Sequence, residues 1–207
     1  MSIEKDYNIW VDQYDINENK TRDLDKKVTI KTLSNYNFDS VLELGCGTGK
    51  NTEWLLNKAD QIIGLDFSQG MLDKAIRKIT SNKVKFKKAD LNQNWDIRNN
   101  FADLITCSLT LEHIKNLDFI FAQAYLKIKP TGKFFICELH PFKQYLGSKA
   151  KYETDNGIKE LEVYAHHISE YLDFAKKNKF KLVELNEWFD DLMDEEIPRL
   201  ISFVFEK

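Results

Sequence analysis

In Val41-Leu42-Glu43-Leu44-Gly45-Cys46-Gly47-Thr48-Gly49 an apolar run leads straight into three alternating glycines, and Lys50-Asn51-Thr52-Glu53-Trp54-Leu55 continues with helical spacing. Such glycines permit a tight turn with no Cβ in the way, so that backbone N–H groups at a helix N-terminus can face a carboxylate or phosphate. Asp66 ends the next apolar run, Gly64-Leu65-Asp66, seventeen residues past Gly49. An acid there can accept both hydroxyls of a ribose. Proton transfer near neutral pH calls for histidine or a tuned carboxylate. The chain has four histidines, His113, His140, His166 and His167, and Glu138 stands two residues before His140.

Those groups need a scaffold that collects strand ends. Runs of β-branched and apolar residues at Ser40 to Leu44, Gln61 to Leu65, Val84 to Lys87, Ala102 to Cys107 and Lys133 to Glu138 read as strands. Helical spacing marks Lys50 to Lys58, Met71 to Thr80 and Leu117 to Lys129. The alternation predicts a parallel sheet covered on both faces. A helix near Ile168 to Asn178 and strands at Lys181 to Glu187 and Leu200 to Phe205 bring the strand count to seven. The expected fold is a three-layer α/β sandwich around a mostly parallel, seven-stranded sheet. Residues 1–39 read as an N-terminal helical cap, and 141–167, aromatic and charged with little periodicity, as a lid. At 207 residues the chain suits a single domain, 1–207.

Two cofactor classes share the turn and its acid: dinucleotides and S-adenosylmethionine. The dinucleotide pattern G-x-G-x-x-G/A would put Lys50 at its third position, where close helix–strand packing needs a small residue. Glu43, Gly45, Gly47 and Gly49 instead resemble the E-x-G-x-G-x-G motif of class I S-adenosylmethionine-dependent methyltransferases. The resemblance runs from about Ser40 to the end and implies the Rossmann-like fold of that class. It makes Asp66 the ribose acid, with Phe67 and Met71 lining the adenosine pocket. Ala89-Asp90-Leu91 is similar to the adenine-recognising pair. Thr106-Cys107-Ser108-Leu109 with Leu111-Glu112-His113-Ile114 resembles the motif beside the methyl-bearing sulfur. The cofactor set implied is Glu43, Gly45, Cys46, Gly47, Gly49, Asp66, Phe67, Met71, Asp90, Leu91, Ser108, Leu109 and His113. Lys129-Pro130-Thr131-Gly132 stands where the family has Lys-Pro-Gly-Gly, with Thr131 replacing a glycine. The carboxyl part resembles small bacterial methyltransferases related in their core to the ubiquinone and menaquinone biosynthesis enzymes, which implies a small-molecule acceptor.

Methyl transfer is an in-line displacement, so the protein must align the acceptor and exclude water, and a base is optional. The candidate catalytic residues are His140, His113 and His167. His140 stands at the C-terminal end of the fifth strand, where ligands of an open sheet gather. It reads equally as a structural histidine bonded to the lid. His113 belongs to the cofactor motif, and His166 and His167 precede a helix. Tyr7, Trp10, Tyr14, Glu138, His140 and Tyr145 are the candidate acceptor contacts, although several of the aromatics are also expected in packing. No compact His spacing points to a metal.

Composition narrows the partners. Hydrophobic residues at 43% and charged residues at 30% fit a folded globular chain. A net charge of -3 provides no general field for nucleic acid or anionic membranes. The base-methylating elements [D/N/S]-P-P-[Y/F/W] and Pro-Cys are absent where Thr106-Cys107-Ser108-Leu109 stands, which argues against nucleic acid. No run has the length of a membrane span and the amino-terminal residues lack a secretory pattern, so a cytoplasmic location is expected. Cys46, Cys107 and Cys137 sit in or beside apolar runs and read as buried thiols. Alternatives are a protein or nucleic-acid acceptor, a non-catalytic S-adenosylmethionine-binding protein, and, more distantly, a dinucleotide oxidoreductase. Oligomeric state is not legible.

Overall fold

The structure is a computed structural model describing residues 11, 19–149, 151–154, 157–190 and 196–207. Tyr7, Trp10 and Tyr14 lie outside the described residues.

Seven strands form one sheet: β1 (Ser40–Leu44), β2 (Gln61–Asp66), β3 (Val84–Lys88), β4 (Ala102–Ser108), β5 (Ile128–Leu139), β8 (Lys181–Trp188) and β9 (Leu200–Glu206). Their order is β3-β2-β1-β4-β5-β9-β8. Pairing is parallel from β3 through β5, and β9 runs antiparallel to both β5 and β8. All five residues of β1 are buried, as expected of a central strand covered on both faces.

Side-chain alternation divides the core. Val41, Leu104, Phe135 and Cys137 point to one face with Val28 and Leu33 of α1 (Lys20–Leu33) and Leu55 of α2 (Thr52–Leu55). Leu42, Leu44, Ile105, Cys107, Phe134 and Ile136 point to the other, against Phe121 of α4 (Leu117–Lys127) and Tyr171 of α6 (Ile168–Lys177). The helix between β2 and β3, α3 (Gln69–Lys78), starts at a capping Ser68 whose hydroxyl accepts from the Met71 N–H, and ends on Arg77 and Lys78, suiting the helix dipole. Asn19 caps α1 in the same way by accepting from the Arg22 N–H.

The segment read as irregular contains two elements. A short helix, α5 (Pro141–Tyr145), follows β5, and β6 (Lys151–Thr154) pairs with β7 (Gly157–Glu160) as a separate two-stranded sheet. Four-residue strands carry too little periodicity to stand out in sequence. The fifth strand also begins earlier than Lys133: Ala102 pairs with Ile128 before a register shift to Leu104 and Lys133. Thr131 lies in that bulge at φ +64°, a backbone region that suits glycine and strains a β-branched residue. The replacement is therefore a conformational cost, larger than the residue pattern alone suggests.

Candidate functional site

The turn after β1 holds its three glycines for three different reasons. All have positive φ: Gly45 at +66°, Gly47 at +52° and Gly49 at +79°. A Cβ on Gly45 would lie 2.1 Å from Thr110 Oγ1, and one on Gly49 would lie 2.6 Å from Ile79 Cδ1. Those two positions let the β4 loop and the end of α3 close on the turn. A Cβ on Gly47 meets no atom within 4 Å. Its bare backbone borders open space, as a ligand cradle requires.

Asp66 joins the turn to β2. Its Oδ2 accepts from the Gly47 N–H at 2.9 Å and its Oδ1 from the Ser68 N–H at 2.8 Å. Burial pushes its carboxyl up to about 6 against the pull of those N–H donors. The Ala89 N–H donates to Asp66 O at 2.8 Å, which brings the loop carrying Asp90 and Leu91 beside this corner. Asp90 is exposed and accepts from the backbone and side chain of Asn92, while Leu91 and Met71 are buried and Phe67 is half-buried.

Alternation also accounts for a polar group inside the sheet. Glu43, Thr106, Ser108 and Cys137 share the face of Val41, Leu104 and Phe135, toward α1. Glu43 is buried, accepts from the Thr52 hydroxyl at 2.5 Å, and is pushed up to about 8 by desolvation. Asp25 on α1 accepts from Asn51 Nδ2 at 3.0 Å, and burial raises its carboxyl too. Between α1, the glycine turn and the end of β4 lies a cleft of about 500 Å³, open to solvent. Its lining includes Arg22, Asp25, Glu43, the residues 44–48, Thr106, Ser108 and Leu109. Arg22, Asp25, Asn51 and Thr106 were not among the expected site residues. Parity could have found Thr106, which shares a face of β4 with Leu104 and the expected Ser108; α1 gives no comparable signal.

The loop after β4 is held from β5. Glu138 Oε1 accepts from the N–H groups of Thr110 and Leu111 at 3.0 and 2.9 Å, and burial pushes the carboxyl up to about 8. Leu109 takes a left-handed φ of +49° beside the cleft. Such conformations persist only where neighbours enforce them, and they gather at functional sites. Glu112 is buried and pushed up to about 7, and accepts from Gln144 Nε2 at 3.3 Å.

The histidines do not converge on the cleft. His140 Nδ1 accepts from the Phe142 N–H at 3.1 Å, capping α5, so its proton sits on Nε2, 3.0 Å from Glu187 Oε1. Both ring nitrogens are thus engaged, the arrangement of the structural alternative rather than of a base awaiting an acceptor. His113 Nδ1 lies 3.1 Å from Glu162 O, and burial holds its pKa down. His166 Nε2 lies 2.8 Å from Ile114 O. His167 begins α6 and meets the Tyr145 hydroxyl through Nδ1 at 2.5 Å, with both side chains largely exposed.

With this geometry in hand, known proteins give a consistent answer. The family model described as a methyltransferase domain matches residues 42–136, the span from β1 to β5. A ubiquinone biosynthesis O-methyltransferase of Coxiella burnetii is 26% identical over 181 residues, 82% of this chain and 73% of that one. A malonyl-[acyl-carrier protein] O-methyltransferase of Priestia megaterium is 26% identical over 162 residues, 72% of this chain and 58% of that one. The chain spans only 38% to 63% of the length of three of the curated relatives it matches. The solved structure of an S-adenosylmethionine-dependent methyltransferase from Clostridium acetobutylicum aligns with a TM-score of 0.71 at 21% identity, over 98% of this chain and 97% of that one. At that identity the structural likeness speaks for the fold alone.

Residues 42–136 thus match a methyltransferase domain, and the fold is similar to that of solved S-adenosylmethionine-dependent methyltransferases. Among curated proteins it is similar to ubiquinone biosynthesis O-methyltransferases, and the cofactor named for its structural neighbours is S-adenosylmethionine. The residues present fit that cofactor. Gly47 leaves backbone open at the turn, Asp66 offers a carboxylate next to it, and the cleft contains buried oxygens with no hydrogen-bond partner on Asp25, Asn51, Thr106 and Ser108. Among the described residues no helix is long and apolar enough to cross a membrane.

Proposed function

We propose that this protein transfers a methyl group from S-adenosylmethionine to a small organic acceptor. The observation that carries the reading is the Gly47–Asp66 corner, open backbone and buried carboxylate joined at 2.9 Å where β1 and β2 end. Bound there, the cofactor supplies an electrophilic methyl on a sulfonium. Asp66 binds the ribose hydroxyls, and Phe67, Met71, Asp90 and Leu91 form the adenosine side. Ser108 and Leu109, fixed through Glu138, border the transfer position. The segment 141–167 covers the acceptor and excludes water, with Tyr145 and His167 on its outer side. His140 holds the start of that segment through its cap on α5. Alignment and exclusion of water account for most of what such a displacement needs from a protein.

The small acceptor is supported by the names of the related O-methyltransferases and by the absence of base-methylating motifs. The test is a measurement of S-adenosylhomocysteine release from S-adenosylmethionine against a panel of phenols, carboxylic acids and amines, with a bulk protein and an oligonucleotide alongside. Turnover on one small-molecule class is the expected result. Turnover on the macromolecules alone would overturn the acceptor assignment, and tight cofactor binding without turnover on any class would favour the non-catalytic reading.

A further inference from the structure

The chain after β4 is bonded on two sides, and the two sides serve different parts of the site. On the inner side the Leu109 N–H donates to Cys137 O at 2.9 Å, and Glu138 Oε1 accepts from the Thr110 and Leu111 N–H groups. The Thr110 side chain fills the space that a Cβ on Gly45 would need, and Leu109 borders the cleft. On the outer side the segment 141–167 is docked on the residues that follow. The Tyr164 N–H donates to Glu112 O at 2.7 Å, His113 Nδ1 donates to Glu162 O at 3.1 Å, and His166 Nε2 donates to Ile114 O at 2.8 Å. From the other end of that segment, Gln144 Nε2 donates to Glu112 Oε2 at 3.3 Å.

Little slack separates the two sides. Leu111, Glu112 and Ile114 are buried, and the left-handed Leu109 persists only because its neighbours enforce it. A short, packed and fully bonded link of this kind shifts between discrete arrangements instead of deforming smoothly. A ligand that favours this arrangement of Leu109 therefore favours the docked segment, and the docked segment favours the ligand by the same free energy.

His166 is the side chain of the segment best placed to carry that coupling. The Tyr164 bond is main chain to main chain, and the Gln144 bond is the longer of the two made by side chains of the segment. The His166 imidazole is buried and stands edge-on to Tyr171 of α6, ring centroids 6.1 Å apart, while Tyr171 stacks on Phe203 of β9 at 4.9 Å. The core thus holds the ring from behind with its donor aimed at one carbonyl, so making the bond costs little further side-chain entropy.

We infer that His166 is a positioning residue for methyl transfer: by bonding Ile114 O it fixes the segment 141–167 on the turn whose inner side borders the cofactor, so that cofactor binding closes the segment over the acceptor. This rests on the S-adenosylmethionine reading above.

The experiment is amide hydrogen exchange, followed by NMR, of wild type, His166→Leu and His166→Gln, each with and without saturating S-adenosylhomocysteine. In wild type the nucleoside is expected to slow exchange of the Tyr164 amide, which is bonded to Glu112 O, by about fivefold or more. His166→Leu keeps apolar bulk and loses the donor, and the slowing there should shrink to within about twofold. His166→Gln carries an N–H donor at similar reach and should recover most of the effect. Should His166→Leu fail to fold, His166→Asn, polar but too short to reach Ile114 O, takes its place with the same expectation. No slowing in wild type that binds the nucleoside, or full slowing in the variant without the donor, overturns the inference. A loss in His166→Gln equal to that in His166→Leu would make the ring a packing group only and overturns it as well. Wild type that shows no S-adenosylhomocysteine binding in a parallel calorimetric titration overturns the cofactor reading itself, an outcome distinct from the others.

Discussion

The backbone N–H of Gly47 donates to Asp66 Oδ2 at 2.9 Å, so the turn after β1 and the acid after β2 form one unit. The carboxylate that would receive a ribose is already oriented by the cradle beside it. Replacing Asp66 with Asn removes a charged acceptor, and hydrogen bonds to charged groups contribute roughly 1.5–3 kcal/mol. S-adenosylhomocysteine binding to Asp66→Asn is expected to weaken by that amount. Burial pushes Asp66 up to about 6, so wild-type affinity should fall as pH is lowered through about 6 while the variant shows a flatter profile. Titration calorimetry at pH 5, 6 and 7.5 checks both; unchanged affinity in the variant removes Asp66 from the ribose role.

The glycines of the turn should separate binding from folding. Gly47→Ala puts a Cβ into open space at φ +52°, which costs stability about 1–2 kcal/mol and narrows the cradle. Gly45→Ala drives a Cβ into Thr110 at 2.1 Å and must displace the loop after β4. Overpacking of that kind costs typically 1–3 kcal/mol on top of the same backbone strain. Urea melts and cofactor titrations should show Gly47→Ala folded but weak in binding, and Gly45→Ala the less stable of the two.

The sheet, its seven strands and the cofactor turn are legible in the chain because β-branched runs and glycine spacing act locally. Ser108 was expected from the motif after β4, and Thr106 was legible in principle, since parity puts it on the same face of that strand. Asp25 was not: α1 reaches the cleft by tertiary packing, and nothing in the residues flanking Asp25 announces a site. The roles of His140 and Glu138 depend on which atoms face them across β5, the lid and the β4 loop, and that arrangement follows from long-range pairing rather than spacing.

Thr131 occupies φ +64° in the bulge of β5 and is exposed there. For a residue with a Cβ the left-handed region costs about 1–2 kcal/mol, partly offset by the greater unfolded-state freedom of glycine. Thr131→Gly is expected to stabilise the protein by up to about 1 kcal/mol, read as a higher thermal midpoint with unchanged cofactor affinity. A lower midpoint would show that the threonine side chain contributes more than its backbone strain costs.

Glu138 is pushed by burial from 4.5 up to about 8. A carboxyl whose folded pKa lies above its unfolded value holds its proton more tightly in the native state. Its contribution is therefore fully present below the unfolded pKa and is lost as pH rises toward about 8, at up to about 1.4 kcal/mol per pH unit for one proton. Glu138→Gln keeps an oxygen for the Thr110 and Leu111 N–H groups and cannot ionise. Urea midpoints should therefore favour the variant over wild type more at pH 8 than at pH 5. Glu43, Glu112 and Asp66 are raised in the same direction, so the variant keeps a reduced slope. An identical slope in both proteins would mean that Glu138 does not titrate in this range.

His140 caps α5 through Nδ1 and meets Glu187 through Nε2, so its first expected role is to hold the start of the segment over the acceptor. The Glu187 side chain is 45% exposed, and an ion pair open to solvent contributes little, which leaves the cap as the main stabilising contact. Loss of a cap costs about 1 kcal/mol, and Asn is among the residues that restore one. His140→Ala should melt at lower temperature, and His140→Asn should recover most of the loss. Methyl-transfer rates should follow stability, low in the Ala variant and near wild type in the Asn variant. An Asn variant with wild-type stability and wild-type S-adenosylhomocysteine affinity but severely reduced transfer would instead make His140 the group that takes the acceptor's proton, since an amide can cap a helix and cannot act as a base near neutral pH.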